Sequence, residues 1–357
     1  ALVSFFMRRT ITVRERLEMS ASLSLDDISG IVRLMREVML FTAAIELAGT
    51  ALLSIRFIPQ FGIAEGLWKA FFHAVSAFCN AGFDLMGQRE AFSNLSDYAQ
   101  DPLVNLVIIA LIVMGGLGFL VWRDLHANRK WNRLSVHTRL VLIMTALLLI
   151  GGTLVIFILE YSNPQTLGNM PVGHRVLASL FQATTCRTAG FNTIDQGALR
   201  SGTAVVCILL MFVGGSSGST AGGIKTTSVA VLILAAWSVL RSRRDITVFH
   251  RRIEERLVLQ AVALVMAALG LILTGSFILY TADNVSVGRA LYETVSAFST
   301  AGLSENLTPT LGVVSKCWLI LEMYLGRIGI LTLGAAVFTR RIFEPKIRYP
   351  ESKVIVG

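Results

Sequence analysis

Apolar positions along this chain run together instead of alternating. Hydrophobic stretches at about Val38–Ile55, Val104–Val121, Leu140–Leu159, from near Thr203 onward, Leu257–Tyr280 and Trp318–Phe338 each approach the ~20 residues that an α-helix needs to cross a bilayer. Six spanning helices are predicted. Within each successive pair lies a shorter apolar run: His73–Asp84 (HAVSAFCNAGFD), Ser179–Asp195 (SLFQATTCRTAGFNTID) and Tyr292–Ser304 (YETVSAFSTAGLS). Each contains Ala-Gly before a bulky apolar residue, and the glycines, Gly82, Gly190 and Gly302, follow at steps of 108 and 112 residues. Such regularity marks a repeated unit.

The run before each glycine is only about ten residues, enough to enter a membrane and turn back but not to span it. The pattern therefore predicts three units of membrane helix, re-entrant pore helix with a glycine loop, and membrane helix. Non-helical backbone survives at membrane depth only where protein buries it or water-filled space receives it, which suits three loops meeting around one axis. Glycine reaches positive φ freely and lets successive carbonyls face one side. A ring of such carbonyls replaces the hydration shell of a monovalent cation, and the C-terminal end of each pore helix adds about half a negative charge there. One glycine of this kind reads as an ordinary helix C-cap; three in register read as a pore.

The segment beginning near Thr203 is interrupted. From Val213 to Ser228 it reads VGGSSGSTAGGIKTTS, too rich in Gly, Ser and Thr to continue as a membrane helix. It belongs to the unit that carries Gly190, so the break is expected just cytoplasmic of the ion site, as a loop that can obstruct the pathway and withdraw; a structural kink is the alternative. A nucleotide phosphate loop is disfavoured, because Ile224 separates the glycines from Lys225 and Thr226 and no β-strand precedes them.

Three charges at membrane depth need an explanation. Glu46, in the middle of the first span, is expected to be paired or hydrogen-bonded rather than to bind a cation. Arg327 lies 13 residues before Arg340, about 20 Å along a helix, which is too far for its side chain to snorkel to the cytoplasm. It is expected to face the pore as an electrostatic barrier, or a buried acid, although Glu322 at five residues is poorly placed. Arg187, three residues before Gly190, would repel an ion there and is expected to point away, tied to carbonyls at its helix end or to Asp195.

Composition supports a polytopic all-α membrane protein: of 357 residues 54% are hydrophobic and only 15% charged, where a soluble domain carries about 25%. The net charge of +9 does not indicate a nucleic-acid partner, because most Lys and Arg fall in Arg8–Arg36, Arg123–Arg139, Arg241–Arg256 and Arg340–Lys353. The positive-inside rule makes those clusters cytoplasmic and leaves the loops around Arg56, Arg89, Glu160, Asp195 and Asp283 outside. Ala1–Met7 reads as the cytoplasmic end of a helix rather than a signal peptide, and Thr10–Leu34 as a polar linker with a short helix capped near Ser24 or Asp26. Cys79, Cys186, Cys207 and Cys317 lack metal-ligand spacing and are expected as small buried hydrophobes. No nucleophile, base and orienting partner occur together, and Glu46, Glu322 and scattered serines do not make an intramembrane enzyme.

The stretches SAFCNAGFDL, FQATTCRTAGFNTID, GGSSGSTAGGIKTTSVAV, VSAFSTAGLS, MYLGRIGILTL and RRIFEPKIRYPESKVIVG, spread over essentially the whole chain, resemble the Trk/Ktr superfamily of potassium-uptake proteins, and within it the Ktr-type membrane subunit. The resemblance implies membrane helix, re-entrant pore loop, membrane helix units around a pseudo-fourfold pore, in a plasma-membrane homodimer seated on a cytosolic nucleotide-binding regulatory ring. It assigns an ion-binding filter to Asn80, Ala81, Gly82, Thr188, Ala189, Gly190, Thr300, Ala301 and Gly302, with K+ and possibly Na+ as the transported ion. It assigns the gate to Gly214, Gly215, Ser216, Gly218, Ser219, Thr220, Gly222, Gly223 and Lys225, with Arg327 beneath the filter. The implied division is 1–34 (end of a first-repeat helix and linker), 35–133 (second repeat), 134–256 (third repeat with the gating loop) and 257–357 (fourth repeat and cytoplasmic tail). With most of a first repeat lacking, this polypeptide is expected not to conduct normally by itself. A sodium-preferring or non-selective pore of the same fold is the alternative.

Overall fold

The computed structural model describes residues 31–87, 93–243 and 245–328. The first helix, α1 (Ile31–Phe61), has 31 residues and outruns its apolar centre, because Met35, Arg36 and Glu37 before it are good helix formers. It stops at Gly62, whose φ of 84° turns the chain into α2 (Ile63–Phe78). Helix α3 (Pro102–Leu117) starts on Asp101, whose carboxylate accepts from Leu103 N at 3.0 Å and Val104 N at 3.2 Å, with Pro102 in the first turn; both are favoured helix-start choices. Then come α4 (Phe119–Ala127) and α5 (Val136–Glu160), capped by Ser135 Oγ accepting from Thr138 N at 3.2 Å. The chain continues through α6 (Val172–Thr185), α7 (Ser201–Phe212) and α8 (Thr226–Leu240). A two-stranded hairpin, β1 (Thr247–Val248) and β2 (Arg251–Arg252), leads to α9 (Glu255–Asp283), α10 (Val287–Ser299) and α11 (Val313–Ile328).

These elements repeat. The short helices α2, α6 and α10 have 16, 14 and 13 residues, longer than the apolar runs suggested but still short of a bilayer crossing. Each packs against the long helix before it, α1, α5 or α9, and the units meet where α3 lies on α6 and α7 on α10. Phe57, Phe78, Ile108, Phe181 and Phe191 fill one seam, and Ile156, Met211, Tyr292 and Phe298 another. By contrast, Leu147, Ile150, Leu154 and Ile158 on α5 and Leu259, Met266, Leu273 and Phe277 on α9 point outward, as a lipid-facing surface requires.

Among the described residues three helices are long and apolar enough to cross a membrane, Met35–Phe61, Val136–Glu160 and Glu255–Asp283, and a fourth span results if α3 and α4 are joined. That join is not straight. The apolar stretch Val104–Val121 bends by 90° at Gly118, whose φ is 94° and where a Cβ would stand 2.7 Å from Ser217 O. The glycines at 115, 116 and 118 permit this break, and the contact with the loop at 217–218 fixes it. The hairpin is likewise absent from the apolar pattern; it turns on Phe249 and His250 at φ 47° and 61°, and the Arg139 guanidinium stacks on the Phe249 ring at 5.4 Å. The linker helix near Ser24 or Asp26, the loop at Arg89, the continuation of the last helix to Phe338 and the basic tail lie outside the described residues.

Gly118→Ala should cost about 1–3 kcal/mol, the strain of a side chain held at positive φ, read as a lower unfolding midpoint of the purified protein in detergent. An unchanged midpoint would place the cause of the bend elsewhere.

Candidate ion-binding site

The three glycine turns share one backbone path. Each short helix ends in a residue of left-handed conformation two positions before the glycine: Asn80 (φ 50°), Thr188 (65°) and Thr300 (54°). The alanine between then bonds back into the helix, Ala81 N to Ser76 O at 2.8 Å, Ala189 N to Thr185 O at 3.0 Å and Ala301 N to Ser296 O at 2.9 Å. Gly82, Gly190 and Gly302 follow at φ 72°, 84° and 81°. Asparagine tolerates the left-handed region, but a β-branched threonine there is an outlier and persists only when its surroundings hold it.

The turns converge. A Cβ on Gly82 would stand 2.7 Å from Gly190 Cα and collide with Ala189 O; one on Gly190 would stand 2.7 Å from Ala301 O and 3.6 Å from Gly302 Cα. Only glycine permits this approach. Among the described residues, no carbonyl of Asn80 to Gly82, Thr188 to Gly190 or Thr300 to Gly302 accepts a hydrogen bond. At two of the three turns the very next carbonyl is engaged, Phe83 O by Ser76 Oγ at 2.8 Å and Phe191 O by Thr185 Oγ1 at 2.6 Å. Backbone acceptors inside a protein are nearly always paired, and a set of free carbonyls at the ends of three helix dipoles is chemically able to ligate a cation. Thr188, Ala189 and Gly190 are buried, whereas Ala81 and Gly302 border a cleft of about 520 Å³ lined also by Asn80, Thr300, Glu293 and Arg327.

The glycine-rich stretch between α7 and α8 closes on the helix side of these turns. Gly214 N donates to Ile224 O at 3.0 Å and Thr226 N to Gly215 O at 3.0 Å, pinching the loop at its neck. Gly222 N donates to Thr188 Oγ1 at 3.2 Å, and Thr220 Oγ1 reaches Phe78 O at 3.0 Å and Asn80 Oδ1 at 3.5 Å. A Cβ on Gly222 would collide with Thr300 Oγ1 and stand 2.5 Å from Ser299 O. The loop therefore touches the residue two before each of the three glycines. It also braces the α3–α4 bend: Ser216 N donates to Gly116 O at 3.0 Å, and Phe119 N to Gly218 O at 3.0 Å.

Two cations bind loop carbonyls, Lys225 Nζ to Ala221 O at 2.7 Å and Arg327 Nη1 to Thr220 O at 2.8 Å. Arg327 thus bonds the loop and not Glu322, which is wholly buried and accepts from Trp318 Nε1 at 2.9 Å. Arg187 points away from the turns but not to Asp195; its guanidinium reaches Thr145 Oγ1 at 3.3 Å, while Asp195 accepts from Gly197 N at 2.9 Å and Asn306 Nδ2 at 3.0 Å. Position along α6 decides this: Asp195 lies beyond the turn, on the far side of Gly190. Glu46 accepts a long 3.9 Å contact from Cys79 Sγ. Cys186 and Cys207 are buried as expected, but Cys79 is half-buried and Cys317 exposed, since α11 leaves that face uncovered. The role of Thr220 and Asn80 as loop partners had no local signal; the two residues are 140 positions apart.

Comparison with known proteins places this geometry in context. The family model described as TrkH, cation transport protein, matches residues 8–346. The Ktr system potassium uptake protein B of Bacillus subtilis is 40% identical over 357 residues, covering 100% of this chain and 78% of that protein. The potassium/sodium uptake protein NtpJ of Enterococcus hirae is 35% identical, covering 98% and 77%. Among solved structures, the potassium transporter TrkH from Vibrio parahaemolyticus shares the fold with a TM-score of 0.72 at 17% identity, over 91% of this chain and 68% of that one.

Gly222→Ala should dislodge the loop tip from Thr300. With Ser219→Cys as reporter, a thiol reagent applied from the cytoplasmic side should react several-fold faster in the Gly222→Ala background; equal rates would mean that the contact does not hold the loop.

Proposed function

Because the chain belongs to the TrkH family of cation transport proteins, we propose that its three glycine turns select K+ through backbone carbonyls and that the loop at 214–225 gates their cytoplasmic side. The protein is a multi-pass plasma-membrane transport subunit and not an enzyme. The observation that carries the ion-site reading is the set of unengaged carbonyls at three abutting glycines. They can replace the hydration shell of an alkali cation without any titratable group. Gly82, Gly190 and Gly302 turns occupy three positions around the axis, and the cleft between the first and third is the position that a fourth turn of a pseudo-fourfold ring takes. The units 35–133, 134–256 and 257–357 are then the second, third and fourth repeats.

The gate follows from what holds the loop. Its neutral bonds to Thr188, Asn80 and Phe78 are each worth about 0.5–1.5 kcal/mol net, and the charge-assisted bond from Arg327 to Thr220 O about 1.5–3 kcal/mol. A handful of such bonds is a closing energy that differential binding of a partner can reverse. The partner proposed is a cytosolic nucleotide-binding ring acting on a homodimer of this subunit, as in a Ktr-type system. Arg327 contributes twice: it fixes the loop, and its charge below the turns slows a cation.

A second reading, a pore that prefers or also accepts Na+, is favoured by the 35% identity to a potassium/sodium uptake protein. Competition separates the two: in rubidium uptake by potassium-starved cells carrying the full-length protein, excess K+ but not Na+ should suppress the signal, and equal suppression would support the second reading. Gly190→Ser should lower the K+ over Na+ preference at least several-fold; unchanged competition would remove Gly190 from the filter. Arg327→Ala and a shortened 214–223 loop should both raise flux, and unchanged or lost flux in folded protein would sink the gate assignment.

A further inference from the structure

Each re-entrant helix carries a buried polar side chain that reaches the chain segment leaving its own glycine turn. In α2 it is His73, whose Nε2 accepts from Leu85 N at 3.4 Å. In α10 it is Glu293, which accepts from Ser304 Oγ and, at 2.7 Å, from Thr308 Oγ1. The arrangement in α6 is different in kind. Gln182 Nε2 donates to Gln196 Oε1 at 2.7 Å, and Gln196 Nε2 donates back to Gln182 Oε1 at 3.0 Å, so the two amides form a closed pair.

The pair brackets the Gly190 turn, with Gln182 eight residues before the glycine and Gln196 six after it. Its remaining valences are used as well. Gln196 Nε2 also donates to Ile194 O at 3.0 Å, and Gln182 Nε2 lies 3.5 Å from Cys207 Sγ. Tyr292, on α10 of the next unit, donates its hydroxyl to Gln196 Oε1 at 3.1 Å. All three side chains are at most 2% exposed, and neither glutamine leaves a polar atom unpartnered. One network thus ties the outgoing strand of the Gly190 turn to its own pore helix and to the neighbouring pore helix. Asn306 Nδ2 on Asp195 Oδ1, at 3.0 Å, reinforces the same seam further out.

Buried, fully satisfied amide networks are stiff, because any displacement leaves a donor or acceptor unpaired in low dielectric. We propose that the Gln182–Gln196 pair and Tyr292 form a positioning lock that sets how closely the Thr188–Gly190 carbonyls approach the pore axis, and so the discrimination between K+ and the smaller Na+. The three residues touch no ion themselves. This inference rests on the reading that the glycine turns bind the transported ion.

The test separates positioning from mere stability. Replacing both partners of a buried hydrogen bond by apolar groups of similar shape is close to neutral for folding. The triple variant Gln182→Met, Gln196→Met, Tyr292→Phe in the full-length protein removes both ends of each side-chain bond between the two glutamines and the tyrosine and leaves only Ile194 O without its donor, so it should fold and unfold in detergent at a modestly lowered midpoint. Its K+ over Na+ preference, from competition against rubidium uptake, should nonetheless fall at least threefold. Preserved preference in the folded triple variant overturns the lock. Should that variant not fold, Tyr292→Phe alone decides, since it removes one buried hydroxyl: a smaller shift toward Na+ supports the proposal, and no shift overturns it. Gly190→Ser, run in parallel, distinguishes the failures. If it shifts the preference and the lock variants do not, the lock alone is wrong; if it too is silent, the ion-site reading is what fails.

Discussion

A carbonyl oxygen without a donor is a liability in a protein interior and a larger one inside a membrane, where no bulk water can repair it. This chain concentrates such oxygens at three turns and pairs the carbonyl immediately after two of them, Phe83 O and Phe191 O. The glycines at φ 72°, 84° and 81° let three backbones abut where any side chain would collide. Around that constraint the remaining architecture is arranged: three short helices deliver the turns, long outward-facing apolar helices shield them from lipid, and two seams hold the units at contact distance.

The loop between α7 and α8 depends on the same constraint. Its own backbone is irregular at membrane depth, and it is satisfied by carbonyls of α3, by its neck and by side chains at the inner rim of the turns. The bend at Gly118 belongs to this arrangement, since Phe119 N donates to Gly218 O. Glycine turns and loop are therefore one bonded structure. Thr188 holds both positions at once: its strained left-handed backbone shapes the turn while its hydroxyl accepts from Gly222 N. A loop that left would remove one of the restraints on that strain, so the proposed gate and the proposed ion site share Thr188.

Charges within the bundle are handled in contrasting ways. Glu160 is wholly buried, yet it accepts from Arg200 N, Asn163 Nδ2, Thr166 Oγ1 and Thr203 Oγ1, enough donors to occupy a carboxylate. It fastens the outer end of α5 to the start of α7. Arg327 and Lys225 instead donate to loop carbonyls, Thr220 O and Ala221 O. These bonds need no acid, which explains why a helical partner for Arg327 at Glu322 was unnecessary.

Run length, the recurrence of Ala-Gly and the Gly, Ser and Thr content after Phe212 were enough, in the sequence alone, to determine a membrane protein of repeated helix, re-entrant loop, helix units, a break beginning at Val213, which ends at Lys225 and not at Ser228, and the glycines that meet. Those features are local: hydrophobic length, helix propensity and the positive-φ freedom of glycine act within a few turns of chain. What only the tertiary structure decided involves residues far apart. The bend that Gly118 permits is fixed by a bond from Phe119 N to Gly218 O, 100 residues later, the destination of Arg187 is a threonine on another helix, and Gln182, Gln196 and Tyr292 acquire meaning only when two units pack. No periodicity or motif encodes such pairings, because a buried hydrogen bond depends on which donor the fold brings to an acceptor and not on either residue's neighbours in sequence.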